Sequence, residues 1–510
     1  MGVIFNEAEA VWEWLMTHLI VINLLFSIII VFFQRRDPRS VWIWLFALNF
    51  IPVFGIIFYL LFGQDLKKSR MFKVKGISDR LNMPVKSQEE IIRSSDIPEE
   101  MMDPLIRDFR SLILYNLETS GAVLTTDNQV KIYTDGQAKF EGLRTALRRA
   151  SRFIHIQYYI IKNDEVFDSI VPILEDKVRE GVEVRILYDG MGGRFMPKRR
   201  WEELRRAGIL VGVFFPPILG WLNLRVNYRN HRKIVVIDGN VGFVGGFNIG
   251  REYISKDPGF GYWRDTHLRI TGEAVMSLQI RFALDWNYAT GENLFKNEAY
   301  FRTDLKKKTD VRRDKERPAW PDPELEGSQV GMQIIASGPD TREPHIRNNY
   351  LELFHKAKHH IYIQTPYFVP DDAIFSALKM AALSGVDVRL MIPCKPDHPF
   401  VYRATCSYAG ELLDYGAKVY IYTNGFLHSK GIMVDGRVCC YGTANMDIRS
   451  FELNFEVNAT IYDEAVTAEL EQAFMNDLPH CCQITREDYK KRGLLTRIRE
   501  QGSRLLSPLL

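Results

Sequence analysis

Two short stretches of the chain carry residues suited to phosphoryl chemistry, and they match one another. The first reads Asn230-His231-Arg232-Lys233, then four apolar residues and Asp238-Gly239, and continues to Gly245, Gly246 and Asn248. The second reads His428-Ser429-Lys430 and, at the same spacing, Asp435-Gly436, continuing to Gly442, Thr443 and Asn445. The spacing is shared, since 428 − 231 and 445 − 248 both give 197. A histidine and a lysine two positions apart on extended chain point to one face. If the copies pack face to face about a pseudo-twofold, His231, Lys233, His428 and Lys430 converge. Two lysines then offset the charge on the non-bridging oxygens of a phosphodiester, work that a metal ion often does. Asn248 and Asn445 add neutral donors to the same oxygens. An imidazole titrates near neutrality, so one can attack phosphorus while the other, protonated, gives a proton to the departing alkoxide. Asp238 and Asp435 complete the motif among the catalytic candidates. Each precedes a glycine, however, and fits a hairpin turn better than direct chemistry. Neighbouring carboxylates are few and the lysines would repel a cation, so no metal and no other cofactor is expected.

The elements that must position these residues recur in the same order. Helix to about 150, strand 153–161, helix 166–180, strand 182–189, helix 198–207 and strand 209–215 lead to the first motif. Helix 346–358, strand 360–368, helix 371–383, strand 386–392, helix 401–415 and strand 418–422 lead to the second. Such alternation predicts an α/β fold: two duplicated mixed-sheet domains, at 120–301 and 329–483, packed about a pseudo-twofold. Between them, 302–328 is charged and proline-punctuated, a linker. Residues 484–510 form a basic segment with Leu494, Leu495, Ile498, Leu505 and Leu506, compatible with a helix on anionic lipid or with one packed on the body.

At the N-terminus, 15–33 and 41–62 are apolar runs free of Asp, Glu, Lys and Arg. Their lengths predict a two-helix transmembrane hairpin over 1–66, with Trp12, Trp14, Trp42 and Trp44 near its ends; Pro52 and Gly55 in the second run also allow a bent or shallow hairpin. Lys67, Lys68, Arg70, Lys73 and Lys75 argue for a cytoplasmic body; Arg35, Arg36 and Arg39 in the connector argue for the same side, which a hairpin cannot satisfy twice. The larger cluster favours a multi-pass cell-membrane protein with the catalytic body in the cytoplasm. The connector 67–119 holds one amphipathic piece around Leu105, Phe109 and Leu112, suited to the membrane surface or to the body. A net charge of +3 does not point to nucleic acid, and no basic groove studded with aromatics is evident. The six cysteines, all in the last quarter, read as reduced thiols. Nothing in the sequence sets an oligomeric state.

With these motifs in hand, the chain resembles the phospholipase D superfamily and, within it, the two-motif bacterial cardiolipin synthases. The resemblance extends to Ser337-Gly338-Pro339-Asp340, Thr365-Pro366-Tyr367-Phe368, Gly442-Thr443-Ala444-Asn445, Arg449-Ser450-Phe451, and the ends of the chain. It implies an acidic residue behind each histidine, assigning Asp265 to His231 and Glu456 to His428. It also implies His231 as nucleophile and His428 as proton donor, with phosphatidylglycerol and anionic membrane lipid as partners. The expected reaction joins two phosphatidylglycerols into cardiolipin and glycerol. The alternatives are a hydrolase in which water resolves the same intermediate, and a membrane-tethered anion-binding scaffold without turnover.

Overall fold

A computed structural model describes residues 14, 17–33, 38–62, 88–89, 103–216, 227–301, 329–341 and 343–505. The linker expected at 302–328, most of the connector and the last five residues lie outside the described residues. The chain divides into two compact units, residues 1–70 with 217–228, and residues 71–216 with 229–510.

The described part of the smaller unit is helical. A helix over 17–28 runs into a π-helical turn, Ile29–Phe33, and is followed by α1 (Pro38–Phe50) and α2 (Pro52–Phe62). Ile30, Trp44, Leu48 and Tyr59 are buried together, and the Asn23 amide donates to the Leu48 carbonyl at 2.7 Å. Gly55 lies against the Ala47 carbonyl so closely that a Cβ would stand 2.3 Å from its oxygen. No helix among the described residues is long and apolar enough to cross a membrane. The second apolar run, expected as one span, is two helices. Pro52 has no N–H to give and opens the second of two segments of 13 and 11 residues that rise about 20 and 16 Å.

In the larger unit the amphipathic piece of the connector packs on the body. Asp103 caps the short helix Pro104–Asp108, and α3 (Arg110–Ser120) buries Leu112, Ile113 and Leu117 in the core of the second half. Asn116 fixes its position by donating to Gln333 and Asn349 at 3.1 and 2.9 Å.

The sheet explains how two copies form one body. The first half contributes β1 (Thr125–Tyr133), β2 (Phe153–Tyr158), β3 (Glu183–Asp189), β4 (Leu210–Phe214), β5 (Ile234–Ile237), β6 (Val241–Gly245) and β7 (His267–Thr271). The second contributes β8 (Val330–Ser337), β9 (His360–Gln364), β10 (Asp387–Pro393), β11 (Lys418–Tyr422), β12 (Gly431–Val434), β13 (Val438–Gly442) and β14 (Asn454–Tyr462), with β15 (Cys481–Ile484) beyond β11. Their order is β4-β3-β2-β5-β6-β7-β1, then β8-β14-β13-β12-β9-β10-β11-β15. Each strand of the first half therefore has its counterpart seven numbers later, and the antiparallel β1–β8 pair joins the halves. The inner strands β8 and β14 are buried along their whole length. Helices cover the sheet, among them α4 (Ala274–Thr290), α5 (Pro399–Leu412), α6 (Glu464–Asp477) and α7 (Leu494–Leu505). α6 is opened by Asp463, whose carboxylate accepts the N–H of Val466 at 2.8 Å. The helix expected at 166–180 is interrupted into Glu165–Asp168 and Val171–Arg179, with Pro172 in the first turn of the second piece.

Each motif ends in a β-hairpin. Asp238 and Gly239 adopt positive φ of 55° and 71°, and Asp435 and Gly436 of 54° and 67°, the pairing a tight hairpin turn requires. The carboxylates do more than turn the chain. Asp238 accepts the N–H groups of Ser151, Arg152 and Phe153 at 2.8–2.9 Å. Asp435 accepts those of Lys358, His359 and His360 at 2.7–2.8 Å. Both clamp the hairpin to the start of the neighbouring strand and are spent there, so the catalytic placing of Asp238 and Asp435 gives way to an architectural one. The Asp238→Ala variant is expected to lose about 2–3 kcal/mol, the worth of charge-assisted hydrogen bonds, seen as a lower thermal unfolding midpoint. Turnover per folded molecule should stay near that of the parent.

Candidate active site

Both histidines enter the site from two-residue strands laid against the other half. Arg229–Asn230 pairs in parallel with Asn454 and Phe455 at the start of β14, and Phe426–Leu427 pairs in parallel with Trp263–Arg264. The ladders continue one step, His231 donating its N–H to the Phe455 carbonyl at 2.9 Å and His428 to that of Arg264 at 2.7 Å. The residues after those two acceptors are Glu456 and Asp265. His231 Nδ1 therefore meets the Glu456 carboxylate at 2.9 and 3.1 Å, and His428 Nδ1 meets Asp265 Oδ2 at 2.6 Å. This exchanges the partners expected from sequence, where Asp265 was to hold His231 and Glu456 to hold His428. The reason is register: the strand that ends at each histidine is paired with the other half's carboxylate strand.

A carboxylate can only accept, so at His231 Nδ1 carries the proton and Nε2 presents a lone pair; His428 Nδ1 faces both the Asp265 carboxylate and, at 2.8 Å, the Lys430 Nζ. The carboxylates are themselves held. Glu456 accepts from Thr443 Oγ1 at 2.6 Å and Asn454 Nδ2 at 3.2 Å; Asp265 accepts the Thr266 N–H at 2.7 Å. Lys233 donates to the His231 carbonyl at 2.6 Å, and Lys430 to that of His428. The Lys430 ammonium also lies 3.9 Å from Asp265. Both lysines are fully buried, whereas the imidazole side chains of His231 and His428 keep 13% and 9% of their surface exposed. A ligand can thus reach the rings but not pass the lysines.

Burial governs the titration of this cluster. It pushes His231 down to about 4, against the pull of Glu456 and with help from Lys233 and Lys430. His428 is lowered by burial and then by Lys430, with Asp265 opposing. Burial also takes Lys430 down to about 8 and Lys233 well below the ordinary lysine range. For Asp265 and Glu456 burial works upward, yet the lysines and imidazoles beside them outweigh it and both carboxylates end lower than usual. That Lys430 acts on His231 and Lys233 as well as on its own histidine brings the two motifs into one electrostatic site.

The structure brings His231, Lys233, Glu456, His428, Lys430 and Asp265 together and treats the amides differently. Asn248 Oδ1 accepts the Ile160 N–H at 3.1 Å while its Nδ2 donates to Tyr253 at 3.0 Å, so this side chain is committed to the scaffold. Asn445 is 4% exposed, and its Oδ1 has no hydrogen-bond partner.

Sequence reasoning passed over Arg232, the middle residue of the first motif. It is buried and points away from His231 and Lys233. Both its Nη1 distances to Asp285 are 2.6 Å, and it donates on to the carbonyls of Glu456 and Ser337 at 3.1 Å. Arg264 does the matching work for the second half, donating to Asp477 at 2.9 Å. The signal was slight: Arg232 stands between His231 and Lys233, its acid Asp285 is 53 residues on within α4, and Asp477 ends an α6 that carries three glutamates as well. Aromatic walls were also missed. Tyr159 lies edge-on to His231 at 5.0 Å between centroids, and Trp263 and Phe426 flank His428 at 5.0 and 5.9 Å.

Comparison with known proteins places this geometry. Residues 143–260 and 350–478 match the family model described as "Cardiolipin synthase, PLD-like domain", and residues 21–64 match "Phospholipase_D-nuclease N-terminal". The crystal structure of phosphatidylserine synthase from Haemophilus influenzae superposes with a TM-score of 0.55 at 16% identity, over 75% of this chain and 95% of that one. The shared architecture is a duplicated phospholipase D-like fold. Relatives named cardiolipin synthase are 45% identical over 500 residues in Listeria innocua, covering 98% of this chain and 99% of the relative, and 47% identical over 492 residues in Staphylococcus aureus, covering 96% and 95%. The chain belongs to the cardiolipin synthase family.

Two outcomes follow from the site. Since His231 stays neutral down to about 4 while burial lowers the proton donor His428, kcat/KM for phosphodiester turnover should rise through about 4 and fall as His428 loses its proton, below the ordinary histidine value. Replacing Glu456 by Gln should cut the rate of the first chemical step by about 100-fold or more, seen in single-turnover kinetics, because a neutral amide neither fixes the His231 tautomer nor steadies its developing charge.

Proposed function

We propose that this protein is a phosphatidyltransferase that converts two phosphatidylglycerol molecules into cardiolipin and glycerol. One observation carries the reading: two imidazoles, each with its Nδ1 on a carboxylate and each beside a buried lysine, meet in one electrostatic site. The family relationship supplies the substrate.

Neutral His231 attacks the phosphorus of the first lipid through Nε2. The P–O bond to the terminal glycerol breaks, and the imidazolium form of His428 gives its Nε2 proton to that oxygen. Asp265 favours the protonated ring, and so does the arriving phosphodiester anion, which offsets the field of Lys430. Glycerol leaves a phosphatidyl-His231 adduct whose positive ring is steadied by Glu456. The hydroxyl of the second phosphatidylglycerol then loses its proton to His428 and attacks phosphorus; the P–N bond breaks and His231 returns neutral. Lys233 and Lys430 balance charge on the non-bridging oxygens. Bonds made and broken are alike in type, so the transfer is close to reversible. The aromatic walls of Tyr159, Trp263 and Phe426 favour a lipid hydroxyl over water at the adduct.

The smaller unit supports association with the membrane: Ile20, Phe32, Trp42, Phe46, Phe50 and Phe54 all face outward, an apolar surface that water alone would not favour.

Purified full-length protein supplied with phosphatidylglycerol in detergent micelles tests the reading. Cardiolipin with an equal amount of glycerol is expected; phosphatidic acid would assign the hydrolase instead, and no product would leave the scaffold. The His231→Ala and His428→Ala variants should each lose about 1000-fold or more of the turnover, with the trapped adduct absent from the first.

A further inference from the structure

α7 sits on the body with its sides reversed. Glu500 and Ser503 are buried, whereas Leu494, Leu495, Ile498 and Leu505 are 74%, 59%, 58% and 81% exposed. The buried face is held by polar contacts. Arg492 donates to Glu500 and Arg504 to Glu411 on α5, and the Arg504 guanidinium lies 4.2 Å from the centroid of the Tyr408 ring. Leu494, Ile498 and Leu505 follow i, i+4 and i+11, so they form one stripe along the helix. On the same helix Arg497 and Arg499 are exposed, and ahead of it so are Lys490 and Lys491 along with Glu487 and Asp488.

The position of this stripe is informative. Arg504 meets the C-terminal end of α5, and Glu500 acts on Tyr402 and Cys406 in its first two turns. The two helices therefore run side by side in the same direction, with their N-terminal ends together. At that end of α5 Phe400 is 54% exposed. Three residues earlier Asp397 accepts from Tyr367 and acts on His428 and Lys430. The apolar stripe thus begins on the side of the molecule that holds the active site.

We propose that the outer face of α7, with Phe400, is a docking surface for an anionic phospholipid bilayer, and that it turns the active site toward the lipid. Charge complementarity selects this occupant. An apolar stripe with exposed arginines on the same helix matches an interface of acyl chains under negatively charged headgroups. The surface deepens the reading of a lipid-transferring enzyme and rests on it for its purpose, but lipid contact can be measured without any product.

The test is hydrogen exchange of peptides from 494–505 in the full-length protein, in nanodiscs of phosphatidylcholine with or without phosphatidylglycerol. With phosphatidylglycerol these amides should exchange at least about fivefold more slowly than in phosphatidylcholine alone. A Leu494→Gln, Leu495→Gln, Ile498→Gln variant should lose the protection and keep its thermal midpoint, since all three side chains are already exposed. The Arg497→Gln, Arg499→Gln variant should lose the difference between the two lipids. In activity, the apolar variant should need a higher surface fraction of phosphatidylglycerol for half-maximal rate while turning over short-chain monomeric lipid normally. Equal exchange in both nanodiscs, or equal protection in the apolar variant, would overturn the proposal. So would protection that grows with protein concentration in the absence of lipid, which would assign the face to a second copy. A parent protein inactive on short-chain lipid would count against the enzymatic reading alone.

Discussion

The contact on which the rest of the molecule depends is the bond between each motif histidine and a carboxylate of the opposite half. Glu456 holds His231 and Asp265 holds His428. Neither imidazole has its tautomer fixed until the halves have docked, because each carboxylate arrives on a strand that the partner half supplies. Duplication therefore makes more than two copies of a site. It makes one site whose two rings are each completed by the other copy, and any slip at the β1–β8 seam would disturb both together.

That arrangement requires several charges to be taken out of water. Buried ions are costly unless paired and hydrogen-bonded, and the structure meets the condition with linked partners. Arg232 joins Asp285 on α4 to the backbone of β14 beside Glu456, and Gln157 and Asn230 take up the remaining valence of Asp285. In the other half Asp477 on α6 receives both Arg264 and Gln364. The residues differ, but in both halves the acid lies in the later part of the helix that follows the carboxylate strand. These pairs tie the covering helices to the strands that carry the histidines. Within that frame the site lysines remain buried, which lowers their proton affinity and makes their charge most effective on a phosphodiester that enters the same low-dielectric space.

Surface features extend the same logic outward. The smaller unit shows apolar side chains on its outside, and α7 turns its leucines away from the body. Each is unfavourable in water and favourable against a lipid phase, and both suit a protein whose substrate resides in a membrane. The polar seating of α7, through Glu500 and Arg504, leaves its apolar stripe free.

Much of this was legible in the chain. The repeated His-Lys spacing, the alternation of helices and strands and the Asp-Gly turns are local patterns, set by side-chain type and period, and the structure reproduces them with shifts of a few residues at element ends. The four innermost strands, β1, β7, β8 and β14, lie outside that reading. β8 is buried on both faces and lacks the alternation that marks a half-exposed strand, whereas β14 alternates Phe455, Val457, Ala459 and Ile461 with polar residues and is nonetheless buried along its length. Pro52 and Gly55 marked where the second apolar run could bend, though its length favoured one span, and the apolar residues of α3 and α7 could not say whether they face the core or the solvent. The amino-acid sequence by itself determined which groups do the chemistry and that there are two sets of them. Only the tertiary structure decided which carboxylate serves which histidine, because strand register across the pseudo-twofold is a property of the docked pair and is written in neither copy alone.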